Sequence, residues 1–379
     1  MEAEPRWLEG VTVLDLTRYL AGPSCTRLLV ELGADVIKIE SPSGDDTRKW
    51  GPPYVELDDD VSAAYFHSCN RGKKSLVADL KDPDQLARVK KLITNADVFI
   101  ENFKVGGLTG FALDYESIKK INPEIVYCSI TGFGQTGPYA HRAGYDFMIQ
   151  GMSGIMDLTG EADGGPQKMG VAFSDIFTGL YSVIAIQAAL ARRVQTGEGE
   201  HIDMALFDCM TAVLANQAMN YLSSGTSPTR LGNMHPNICP YETIAVSDGH
   251  IIVATGNDAQ FGRLCDCLEL TSLKTDPRFC GNSDRVANRP ELMKLINDKS
   301  CLWTRDSLLT KLEKAVVPAG PINTVEDAFN DPQFIHRQLL IDNNGVPGVR
   351  TPIMMGGAKT VSDSRSPKLG EHMGADFEK

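Results

Sequence analysis

Several familiar signatures are missing from these 379 residues, and each absence removes a class of function. The nine cysteines include no CxxC pair, and no Cys/His set has zinc spacing, so reduced thiols and no metal are expected. Cys265 and Cys267, two apart, suit neither a disulfide nor a metal pattern. The first strand-to-helix turn reads LTRYLAGP, without the G-x-G-x-x-G that lets a backbone approach a pyrophosphate, so a nicotinamide enzyme is not expected. No apolar run reads as long enough to cross a bilayer, and the start, MEAEPRWLEGVTVLDL, has no leader-like character. The expectation is therefore a cytoplasmic protein with no membrane partner. Basic residues are also scarce: 37 Lys and Arg stand against 49 Asp and Glu, a net charge of −12, which argues against nucleic acid as partner. An anionic small molecule remains compatible, because a few local cations and backbone amides can hold one.

What is present is an alternation of strand and helix signals. Short β-branched runs at 11–16 (VTVLDL), 35–40 (DVIKIE), 75–80 (SLVADL), 98–103 (VFIENF) and 125–130 (IVYCSI) are separated by helical stretches. Asp82 with Pro83 reads as a helix cap and first-turn proline. Strands spaced by single helices imply parallel neighbours, so the fold class is α/β, a Rossmann-like doubly wound parallel sheet. A long helix is expected from about Asp175 to Gln195, closed by Gly197, then a strand HIDMAL and a helix LFDCMTAVLANQAMNYL. The Gly/Pro/Ser-rich loop after it marks a boundary, and YETIAVSDGHIIVATG reads as a hairpin turning at Asp248-Gly249. The expected domains are a large one over 1–215, a small α+β one over 216–330, and a limb over 331–379 returning to the first. Sheets of this kind bind ligands beyond the carboxyl ends of their strands, which directs attention to the loops at 20–23, 40–42 and 102–107.

Asp175 stands where a glycine-rich loop meets the long helix. Most acids in that place simply cap or begin a helix. The same helix-end amides and dipole would also keep a carboxylate ionised and available as a nucleophile.

Eight strings give this aspartate a sharper meaning: LEGVTVLDLTRYLAGP, LGADVIKIESPSGDDTRKWGPP, NRGKKSLVADLK, VFIENF, SITGFGQTGP, RAGYD, GVAFSDIFTGLYS and LGEH stand in this order from about residue 8 to 372. Together they resemble the class III CoA-transferase family (CaiB/BaiF type), which includes formyl-CoA transferase and the succinyl-CoA:glutarate transferases. The resemblance implies that Asp175 is the nucleophile, carrying first an acyl group as a mixed anhydride and then CoA as a thioester. It places CoA contacts at Leu20 and Ala21, from Ala78 to Lys81, and at Asn102, Phe103 and Lys104, with Tyr145 and Asp146 close to the nucleophile. It implies an interlocked homodimer, acyl-CoA thioesters and small carboxylic acids as substrates, and no permanently bound cofactor. The likeness to glutarate-type members points to a dicarboxylic acid acceptor with succinyl-CoA or a similar donor. Its free carboxylate would want a cation, for which Arg71 and Arg142 are candidates.

The sequence departs from relatives at Gly110–Tyr115, where many read R-M-G-L-G-Y and supply a cation. It also lacks a poly-glycine flap; His235 or Asn233 in GNMHPNICPYE is expected to cover the site instead. Two rivals share the fold. An α-methylacyl-CoA racemase would need a second base, but Tyr145 stands where such enzymes carry histidine, and a phenol of pKa ~10 is a poor base at neutral pH. A non-catalytic CoA-binding subunit would not need the glycine-rich approach to Asp175.

Overall fold

The structure, a computed structural model, describes residues 6–57, 60–356 and 358–375. Runs rich in Val and Ile form a six-stranded sheet: β1 (Thr12–Asp15), β2 (Asp35–Glu40), β3 (Lys74–Val77), β4 (Val98–Glu101), β5 (Val126–Thr131) and β6 (Glu200–Ala205). Their order is β3-β2-β1-β4-β5-β6, and every neighbouring pair is parallel. The chain thus winds outward from β1 on one side and from β4 on the other. Their junction is the topological switch point, where such sheets open a crevice.

Both faces of the sheet are covered, so its strands are apolar at successive positions rather than at alternate ones. Val13, Val36, Val98, Ile100, Val126 and Cys128 point to one side. They meet α1 (Ala21–Glu31) and α5 (Phe173–Thr196) there. Leu14, Ile37, Leu76, Phe99 and Tyr127 point to the other, against α2 (Pro83–Ile93) and α3 (Tyr115–Ile121). Each fully buried aliphatic side chain contributes roughly 1.5–3 kcal/mol, so the two cores fix which residues face up and down. Asp82 caps α2 through the Asp84 and Gln85 amides with Pro83 in its first turn, and Gly197 ends α5 at φ 68°.

Three expectations are corrected. By length and composition α5 is long and apolar enough to cross a membrane, although no such run was expected. It is the core helix, with Thr178, Ser182, Val183, Ile186 and Leu190 buried, and its polar residues hide that apolar length in the sequence. The stretch LFDCMTAVLANQAMNYL is two helices, Leu206–Ala212 and Ala215–Ser224, because Ala215 takes φ 47° and breaks the hydrogen-bond ladder. The hairpin pairs Val246 with Gly249, so its two-residue loop is Ser247-Asp248, and Gly249 opens the second strand.

The chain divides into two compact units. The first holds the sheet and consists of residues 1–156, 168–226 and 333–379; the second consists of 157–167 and 227–332. In the second unit β7 (Tyr241–Val246), β8 (Gly249–Ala254) and β9 (Ala319–Pro321) form an antiparallel sheet. It shares a core with Phe261, Leu264, Leu292, Ile296, Leu308 and Leu312 from the helices of that unit. In the first unit residues 370–373 close over β3, the edge strand. Ser75 N–H donates to His372 Nδ1 at 3.1 Å, His372 N–H to the Ser75 carbonyl at 3.0 Å, and Val77 N–H to Met373 Sδ at 3.2 Å.

Candidate active site

Asp175 lies in the first turn of α5, whose own flanking residue, Ala172, offers no side-chain cap. The cap comes from α4 (Asp146–Met152): Asp146 Oδ1 accepts from Ser174 N–H at 3.0 Å and from Ser174 Oγ–H at 2.7 Å. Gln150 donates to the other Asp146 oxygen at 2.8 Å and accepts from Met169 N–H at 2.9 Å, tying the glycine-rich loop to the same carboxylate. One turn beyond Asp175, a Cβ on Gly179 would sit 2.9 Å from the Ala21 carbonyl oxygen. The missing side chain lets α5 press against the start of α1, which brings the Ala21 N–H near enough to the Asp175 carboxylate to favour its ionised form.

Burial and then the neighbouring Asp146 charge push Asp175 up to about 7, against the Ala21 hydrogen bond, which pulls down. This corrects the expectation of a carboxylate held ionised by its helix end. Loss of water and a nearby anion outweigh one amide and the dipole. The Tyr65 hydroxyl, pushed well above its ordinary value by burial and by the Asp175 charge, belongs to a residue lining the same cavity.

Asp175 forms part of the wall of a cavity of about 590 Å³ in the first unit, beyond the carboxyl ends of β1, β4 and β5. Of the residues singled out from sequence, Ala21, Asn102, Phe103, Lys104, Arg142, Tyr145 and Asp146 line it with Asp175. Asn102 is a strap: its amide accepts from Arg18 N–H at 3.0 Å and donates to the Arg18 carbonyl at 2.8 Å, joining the two loops at the switch point. Glu101 beneath it, raised to about 7 by burial, accepts from Phe103 N–H at 2.7 Å and shapes the same turn. Arg142 lies over the Tyr139 ring at 4.6 Å and the Phe133 ring at 5.4 Å.

Other candidates lie elsewhere. Leu20 and Ala78 are buried beside the strand ends, and Lys81 is exposed beyond β3. Arg71 is not brought to the cavity. It is 5 % exposed, ion-paired with Glu31, and donates to the Val349 carbonyl at 3.0 Å, so it braces α1 instead of facing a substrate. His235 and Asn233 belong to the second unit, where the His235 ring packs on Tyr241. Among the lining residues that escaped the sequence reading are Arg18, Tyr19, Trp50 and Tyr65. Tyr19 stacks on Trp50 at 5.4 Å and meets Tyr145 edge-on at 5.8 Å, while Trp50 meets Tyr65 edge-on at 5.4 Å. The available signal was aromatics close to the ends of β1 and of the Ala64–Asn70 helix in an otherwise aromatic-poor chain.

The sequence pattern of CoA-transferase family III matches residues 8–373. The chain belongs to that family. It is 55% identical over 373 residues to the succinate–glutarate CoA-transferase of Agrobacterium fabrum, covering 96% of this chain and 93% of that protein. It is 43% identical over 371 residues to the succinyl-CoA:glutarate CoA-transferase of Mus musculus, covering 96% and 84%. Among solved structures, a CaiB/BaiF family protein from Brucella suis superposes with a TM-score of 0.89 at 62% identity, covering 98% of both chains. This CoA-transferase of net charge −12 must accept acyl-CoA and carboxylate anions, and Arg18, Lys104 and Arg142 bring positive charge to the cavity lining.

Proposed function

We propose that the enzyme moves CoA from succinyl-CoA or a similar acyl-CoA to a dicarboxylic acid of the glutarate kind, with Asp175 as nucleophile. The Asp175 carboxylate attacks the donor thioester carbonyl, forming a mixed anhydride and expelling CoA thiolate. The thiolate attacks the aspartyl carbonyl of the anhydride, leaving an aspartyl-CoA thioester and the free donor acid. The acceptor carboxylate then attacks the aspartyl thioester, forming a second anhydride and again releasing CoA thiolate. Attack of this thiolate on the acceptor acyl carbon yields the new acyl-CoA and restores the carboxylate. No net proton is consumed. Each activated species is close in energy to the next, so one hard exchange becomes several near-balanced ones. A carboxylate raised to about 7 is also more nucleophilic than an ordinary aspartate while still half ionised at neutral pH.

The observation that carries this reading is a partly exposed Asp175 lining the large cavity together with Ala21, whose N–H favours the ionised carboxylate. That donor can stabilise negative charge developing on the aspartyl oxygen during each attack. Ala21, Phe103 and Lys104 are read as CoA contacts, with Leu20, Ala78 and Lys81 along the nucleotide's path. Arg142 is read as the partner of the acceptor's distal carboxylate, since Arg71 is already held by Glu31. The glutarate CoA-transferases of Agrobacterium fabrum and Mus musculus, to which the chain is similar, support the dicarboxylate. Racemization is disfavoured because Tyr145, not a histidine, faces this cavity. We read the working form as a homodimer, a reading supported by the exposed apolar residues Leu180, Tyr181 and Ile184 on the core helix α5.

The test is trapping. Incubation with succinyl-CoA and then hydroxylamine should place a hydroxamate on Asp175, detected by peptide mass spectrometry, and Asp175→Ala should abolish both label and transfer. Transfer at undiminished rate in Asp175→Ala would overturn the assignment.

A further inference from the structure

Between β1 and α1 three consecutive residues have their backbone groups held by side chains from elsewhere. Thr17 N–H donates to Asp15 Oδ1 at 2.9 Å, and the Thr17 carbonyl accepts from Lys38 Nζ at 2.7 Å. Arg18 N–H and carbonyl are both taken by the Asn102 amide. Tyr19 N–H reaches Asp45 Oδ1 at 3.5 Å, and the Tyr19 carbonyl receives the Cys69 thiol at 3.6 Å. The turn needs this hold, because Tyr19 has φ 71°, a left-handed conformation that a bulky L-residue does not adopt unaided. Two residues later comes the Ala21 amide, which favours the ionised Asp175 carboxylate.

Lys38 is the centre of the arrangement. It is fully buried on β2, and its ammonium is ion-paired with Asp45 Oδ2 at 2.9 Å. Asp15 lies close enough to interact with it and is itself paired with Lys73 at 2.9 Å. Burying an ammonium and a carboxylate is a poor route to stability, since well-packed apolar side chains do as well or better. What the pair supplies is direction: a donor fixed on the Thr17 carbonyl and an acceptor fixed near the Tyr19 amide.

We propose that Lys38 is a positioning residue for CoA transfer, holding the Thr17–Tyr19 turn so that the Ala21 N–H stays on Asp175. This rests on the reading of Asp175 as nucleophile. If the turn relaxes, Tyr19 moves to an extended φ and the Ala21 amide swings away. The Asp175 carboxylate then loses the amide that favours its ionised form, while the Asp146 charge still opposes ionisation and Tyr65 still lines the same cavity. Arg18 and Tyr19 on the cavity wall move with the turn; Lys104, Arg142 and Tyr145 line it from other segments.

The experiment is the pH profile of transfer in Lys38→Met/Asp45→Asn, which removes both buried charges together and keeps an acceptor for Thr47. The expected result is an acid limb of kcat raised by about one pH unit and kcat at pH 7 lowered about fivefold, with KM values within about twofold. Lys38→Arg keeps a charge opposite Asp45 but cannot reproduce the Thr17 hydrogen bond, and shifts the limb the same way, so the reading does not depend on the double variant folding. Lys74→Met/Asp35→Asn, an exposed pair on β3 and β2, should leave the profile unchanged. A merely structural Lys38 would lower the melting temperature and leave the acid limb in place; that outcome overturns the proposal. If Asp175→Ala is inactive while the Lys38 variants keep the native profile, this inference alone fails. If Asp175→Ala stays active, the nucleophile assignment fails first.

Discussion

Asp175→Asn should make the protein more stable, and only at pH values above about 4, where the carboxylate of the unfolded chain ionises. Asp175 is raised from 3.8 to about 7 in the fold. A raised acid binds its proton more tightly when folded than when unfolded, so its ionisation costs stability. That cost is absent well below pH 3.8, builds as pH rises from about 4 to 7, and is complete above about pH 8. Three pH units correspond to about 4 kcal/mol as an upper bound, with about 2 kcal/mol already present at pH 5. Water in the cavity reduces both, to about 2 and 1 kcal/mol. Asparagine resembles the protonated acid, keeps an oxygen for the Ala21 amide and cannot titrate. For a chain of this size the gain at pH 8 is about 2–3 °C in Tm, and about half of that at pH 5. Differential scanning calorimetry of both proteins without ligands, at pH 5 and pH 8, measures it. A Tm equal to or below that of the native protein at pH 8, or a gain that does not change with pH, would refute the burial argument.

Asp146→Asn keeps an oxygen for Ser174 but removes the charge beside Asp175, so the acid limb of kcat/KM should move below its native position near pH 7. Gly179→Ala places a methyl 2.9 Å from the Ala21 oxygen; α5 must shift, and kcat should drop at least tenfold while circular dichroism stays native. Arg142→Met should raise KM for a dicarboxylate about tenfold or more and leave KM for a monocarboxylate of equal length nearly unchanged, as initial-rate assays would show. Ile184→Asp on the exposed face of α5 should shift the mass measured by light scattering from dimer to monomer.

The sheet was legible because burial on both faces writes itself as unbroken Val/Ile runs, and all the runs named became strands. The end of α2 was legible for a different reason: Asp82 and Pro83 are local signals that need no tertiary partner. What escaped required distance information. The NRGKK string presents Arg71 as a free cation, but its partner Glu31 lies on another helix, and nothing in the neighbourhood of Arg71 announces it. The first-turn position of Asp175 was readable and its ionisation was not, since the residues that raise it are Asp146 and the packing of α5 against α1. Tyr19 and Trp50 come from two loops and Tyr65 from the Ala64–Asn70 helix, and only the topology makes them one aromatic wall. The break at Ala215 has no sequence marker at all, because alanine is the residue least suspected of a left-handed turn.

The strap that residues 370–373 lay over β3 sets a schedule for synthesis. Ser75 and its closing partners lie 295 and 297 positions apart, so the strand leaves the ribosome long before the segment that seals it. At 5–20 residues per second that interval is roughly 15–60 s, during which an open β edge is displayed by a nascent chain. A clone trimmed by a dozen codons at its far end would display that edge permanently and should be recovered mainly in inclusion bodies.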